Sequence, residues 1–205
     1  MSLLDRFRLS LAARLLPALL LVLPALPARA AGPLTDETAA AMGSFLQICA
    51  RVLTGGDSAA AAREAGFTAV PAARAAPLLH GATGQVMVAR GGSVQGIVLI
   101  LTSRPLACSM RLQRMDVETA EALFVRLAEG VARPGLTVTR AFDGTVPVPG
   151  AGVARQITYR LSTGVAGRPD FALAFTGDAD PAAGTQGVLT FGTTAPRRQD
   201  RPSDR

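Results

Sequence analysis

The stretch "QVMVARGGSVQGIVLILTSRPLACSMRLQ", Gln85 to Gln113, decides the fold class. Gln85 to Arg90 and Val94 to Ser103 are two runs rich in β-branched residues, and Gly91-Gly92-Ser93 stands between them as a turn. That pattern predicts a β-hairpin. Pro105 then breaks the second run, and "LACSMRLQ" predicts a third strand. Along it Leu106, Cys108, Met110 and Leu112 point one way, and Ala107, Ser109, Arg111 and Gln113 the other. Cys108 therefore falls on the apolar face.

Upstream the period changes from two to 3.6. Thr35-Asp36-Glu37 reads as a helix start, with a hydroxyl at the cap and two acids facing the positive end of the dipole. Met42, Phe45, Leu46, Cys49, Val52 and Leu53 follow at helical spacing, so Cys49 lies on the buried stripe. Gly55-Gly56 ends this helix. Asp57 caps a second, "SAAAAREA", which Gly66 closes. Thr68 to Gly84, broken by Pro71, Pro77, Gly81 and Gly84, reads as a loop wrapping the domain.

Downstream, Asp116 opens a strong helix with an apolar stripe of Val117, Ala120, Leu123, Phe124, Leu127 and Val131. Its other side, with Glu118, Glu121, Arg126 and Glu129, reads as a solvated face. Four strands follow, from Leu136, Val153, Asp170 and Gly187, separated by the breaker-rich turns "DGTVPVPGAG", "STGVAGRP" and "TGDADPAAGTQ". Strands joined by short turns, with isolated helices, predict an α+β fold: a single domain over residues 31–194, with a mainly antiparallel sheet of about six or seven strands and two or three helices packed on one face.

The two ends read differently. Arg6, Arg8 and Arg14 precede the uncharged run "LLPALLLVLPAL", and Ala28-Arg29-Ala30 fits a signal-peptidase site, so residues 1–30 read as an export signal. The apolar run is short and broken by Pro17 and Pro24, which makes it a poor membrane span, and no span is predicted once the signal is removed. Residues 195–205, "APRRQDRPSDR", have nothing to bury and read as a disordered polar tail. Most of the net charge of +6 belongs to these ends, because residues 31–194 carry 13 arginines against 12 acids. A nearly neutral body with one tyrosine and no tryptophan gives nucleic acid neither a basic face nor a stacking platform.

The sequence carries no recognisable catalytic motif. His80, in "PLLHGATG", is the single histidine and has no companion at metal-binding spacing. "GGSVQG" has Gln95 where a nucleophile elbow needs glycine, and "GAGVAR" has Arg155 where a dinucleotide loop needs one. "GDADP" offers too few oxygens for calcium and reads as a solvated turn. No catalytic, cofactor-binding or metal-binding residue is therefore assigned, and no cofactor is implied.

For Cys49 and Cys108, a reactive thiol would want a positive, partly exposed site, and a metal would want more ligands. A free buried pair is possible for so good a small core residue. An even count and an oxidising compartment favour a disulfide between the two.

"FLQICA" on an early helix, "CSM" on a strand before a later helix, and the closing "TQGVLTFGTT" together resemble a family of small exported proteobacterial proteins to which no activity is attached. The resemblance implies export and a single domain, and brings no functional residue with it. The sequence thus points first to a periplasmic or secreted non-enzymatic domain that binds a partner protein or an envelope component. A small-molecule binder with its pocket between helices and sheet comes second, and an enzyme without a recognisable motif third.

Overall fold

Helix α1 runs from Pro33 to Cys49 in the computed structural model, which describes residues 32–89, 96–148 and 152–194. The export signal, the Gly91-Gly92-Ser93 turn, the Gly150-Ala151 part of "GAGVAR" and the polar tail lie outside the described residues. Gly32 occupies the cap of α1 and a proline takes the first turn, where a missing N–H costs nothing. The start is therefore two residues earlier than Thr35, whose hydroxyl is used elsewhere. The buried stripe is Thr38, Ala41, Met42, Phe45, Ile48, Cys49 and, beyond the helix, Val52. Leu46, predicted on that stripe, stands about 100° round from Phe45 and is 43% exposed.

A single turn, α2 (Arg51–Thr54), ends at Gly55 in the left-handed conformation. Helix α3 (Ser58–Glu64) is capped as predicted, with Asp57 accepting from the amides of Ala59 and Ala60 at 2.8 and 3.0 Å. The predicted loop from Thr68 to Gly84 is corrected. It holds strand β1 (Phe67–Ala69), helix α4 (Ala72–Leu79) and the start of β2 (Thr83–Ala89). The prolines misled: Pro71 sits at the cap of α4 and Pro77 near its end, and the alanines between them carry the helix.

Strands β3 (Ile97–Arg104) and β4 (Leu106–Leu112) follow; β3 pairs antiparallel with β2, as the predicted hairpin requires, and β4 pairs antiparallel with β3 on its other side. Helix α5 (Val117–Gly130) has Asp116 at its cap. Strands β5 (Thr137–Val148), β6 (Gly152–Ser162), β7 (Phe171–Gly177) and β8 (Gly187–Thr193) complete the fold. The predicted turn "DGTVPVPGAG" is shortened, because β5 continues through it to Val148. It can do so as an edge strand, where Pro147 need not contribute an N–H to a ladder on both sides. Gly144 leaves room for the ring of Phe142, whose Cζ would lie 3.3 Å from an added Cβ.

The α+β class holds, with different counts. One sheet of eight antiparallel strands, in the order β1-β2-β3-β4-β8-β7-β6-β5, replaces the predicted six or seven. Four helices and the single turn α2 replace the predicted two or three among the described residues. The helices also occupy both faces. α1 and α5 cover the face bearing Met87, Leu99, Cys108, Met110, Phe175 and Leu189, while α4 lays Ala75 on Val86 and Ile100 of the opposite face. α5 carries the chain from β4 to the far edge, and the β5–β8 meander returns until β8 meets β4 in mid-sheet.

Candidate functional site

The two cysteines meet as period counting predicts. Cys49 and Cys108 are 1% and 0% exposed, their Cα atoms are 5.5 Å apart, and they form a disulfide that ties α1 to β4. Both sulfurs are committed to the bond, so neither supplies a thiolate.

His80 is at the left-handed end of α4 and exposed. No hydrogen bond or ion pair joins it to an orienting group among the described residues. The "GDADP" turn is less solvated than predicted. Asp178 is 8% exposed and accepts from the amide of Asp180, while its own amide donates to Gln186. The Gln186 side chain accepts from the Met115 amide at 2.9 Å and donates to the Asp180 carbonyl. The turn is therefore stitched to the entrance of α5. No group of three or more His, Cys, Asp or Glu side chains placed to hold a metal occurs among the described residues.

A charged cluster joins α5 to the β5–β6 hairpin. Arg155 reaches Glu121 at 3.0 Å and Asp143 at 2.5 Å, and Arg140 reaches Asp143 at 2.7 Å. Arg140 also donates to the hydroxyl of buried Tyr159 at 2.6 and 3.0 Å. The bond from Arg155, reinforced by both guanidinium charges, holds the Asp143 carboxyl below its ordinary range. Two cations face two anions, so the cluster is a clamp with no spare acid or base. Glu121 is thereby removed from the predicted solvated face. Its partner lies 34 residues away, and no local pattern announces it.

The starts of α1 and α5 are locked together. Thr35 donates its hydroxyl to Asp116 at 2.9 Å, the Asp116 amide donates to the Thr38 hydroxyl at 2.9 Å, and the Thr119 amide donates to Asp116. The Thr119 amide, then the Thr35 hydroxyl, depress the Asp116 pKa. Because the folded pKa lies below the unfolded one, the unfolded chain binds more protons between the two values, and stability rises with pH there. The contribution is complete above the ordinary aspartate value of about 3.9 and is lost as pH falls through the folded value. Asp116→Ala should cost about 1–2 kcal/mol near neutral pH through the lost cap and tether. Asp116→Asn should cost less, and should flatten the fall in melting temperature between about pH 5 and 2. An acid limb unchanged in Asp116→Asn would remove Asp116 from this role.

A groove of about 460 Å³ lies between α1 and α5. Met42, Gly43 and Leu46 of α1 face Leu123, Leu127 and Gly130 of α5, and no polar side chain lines it. A smaller cavity of about 40 Å³ shares Leu46, Leu127 and Val131 with the groove and is also lined by Leu53, Cys49 and Phe191. Sequence reading assigned most of these residues to the core, because an amphipathic stripe does not reveal how much of it two neighbouring helices fail to cover. No helix among the described residues is long and apolar enough to cross a membrane. Comparison of the chain with protein-family models, with curated proteins and with solved structures finds no match.

Proposed function

We propose that this chain is an exported, non-enzymatic binding domain that holds a partner protein against the apolar face formed by α1 and α5. The observation that carries the reading is the groove itself. It is open, its lining is entirely apolar side chains and glycine, and Leu46 stands 43% exposed at its edge. Exposed apolar surface of this kind marks docking sites in soluble domains. A small-molecule site fits less well. Such sites are enclosed and carry a few convergent polar groups, whereas this groove of about 460 Å³ is open and no polar side chain lines it. The Cys49–Cys108 bond supports an oxidising compartment, as the amino-terminal signal pattern does.

A photo-activatable side chain at position 46, in cells exporting the full chain, tests the reading. Position 46 should give adducts of discrete mass, and position 153, where Val153 is 68% exposed outside the groove, should not. Equal, diffuse labelling from both positions would end the docking proposal.

A further inference from the structure

We propose that the partner seated on this face is a second copy of the chain, packed about a two-fold axis so that the two α1 helices run antiparallel. This rests on the docking reading above and adds the identity of the occupant. The first observation is Gly43. It stands in mid-helix, exposed, with no atom within 4 Å of where a Cβ would be. Glycine is the least favourable helix-interior residue after proline, and nothing inside the protomer requires it there. Exposed Ala39 and Ala40 lie one turn before it on the same surface. Small residues at this spacing let a second helix approach closely.

The second observation is the placing of charge on that surface. Asp36 and Glu37 stand exposed at the start of α1 and Arg51 stands exposed just past its end, and none is in an ion pair among the described residues. An axis crossing between Gly43 and Ser44 puts Asp36 and Arg51 at equal distances on either side, about 11 Å along the helix. Each Asp36 then faces Arg51 of the second copy, and symmetry makes the pair twice. A parallel arrangement would set Asp36 beside Asp36, so charge selects the antiparallel one. α1 has 17 residues. A helix of that length is about 25 Å long, and two such strips about 10 Å wide bury about 500 Å² in total, so the rest of the roughly 1,000 Å² of a specific interface falls to the adjoining surface of α5.

Sedimentation of the purified disulfide-bonded chain tests this. A dimer should be present at or below about 0.1 mM, since a contact needing more would be no tighter than crystal packing. Gly43→Arg should be monomeric with unchanged circular dichroism and a melting temperature at or above the native one, because its Cβ enters open space and arginine is the better helix former. Arg51→Glu alone and Asp36→Arg alone should each weaken the dimer about tenfold, and the double variant should regain the loss. A monomeric native chain would overturn the proposal, as would a dimer untouched by Gly43→Arg or a double variant no better than either single one. Position-46 adducts to a different protein, with a monomeric native chain, would overturn self-pairing and leave the docking reading standing.

Discussion

Breaking the Cys49–Cys108 bond should lower the melting temperature by about 8–16 °C. The bond joins residues 59 apart in sequence. Closing a loop of that length removes chain entropy from the unfolded state worth about 4 kcal/mol at 25 °C. In a domain of this size each kcal/mol corresponds to about 2–4 °C. Both cysteines are buried, so reductant should act slowly on the folded protein and fully once it opens. Cys108→Ser would also bury a hydroxyl, so the cleaner variant is Cys49→Ala with Cys108→Ala. Its melting temperature should match that of the reduced native protein and ignore reductant. Two titratable thiols in native protein purified without reductant would defeat the expectation.

That pairing was legible because each cysteine sits inside a strongly periodic element. Period 3.6 put Cys49 on a buried helix stripe and period two put Cys108 on a buried strand face. The strands from β2 to β8 were legible for the same reason, although their ends were not. β5 outran its predicted length because an edge strand tolerates Pro147, and edge position is a property of the sheet order, not of local sequence. β1 and α4 were hidden by Pro71 and Pro77, which punctuate a segment whose structure is set by packing on Val86 and Ile100. The candidate site was the least legible part. The groove is what α1 and α5 leave uncovered, and the Glu121–Arg155 clamp joins elements far apart in the chain. One local signal was present: a glycine in mid-helix, at Gly43, which the helix does not need for its own sake.

Phe124→Ala should cost about 3–5 kcal/mol, which corresponds to a fall of about 10 °C in melting temperature. Phe124 is fully buried, with its ring centroid 5.6 Å from that of Phe175 and 6.0 Å from that of Tyr159. It is the side chain through which α5 is keyed to the sheet. The neighbours cannot readily collapse into the space it would leave. Tyr159 is held from its hydroxyl by Arg140, and Phe175 belongs to a strand paired on both sides. The cost should therefore fall in the upper part of that range, whereas Phe124→Leu keeps most of the volume and should lose less than half as much. The two large losses differ in kind. A cavity raises the energy of the folded state, while a missing disulfide enlarges the unfolded one. Urea unfolding should separate them: the cysteine-free variant should show a steeper dependence on denaturant than the native protein, and Phe124→Ala should keep the native slope with a lower midpoint. An Ala variant melting within about 2 °C of the native protein would mean that α5 is not keyed to the sheet through this ring.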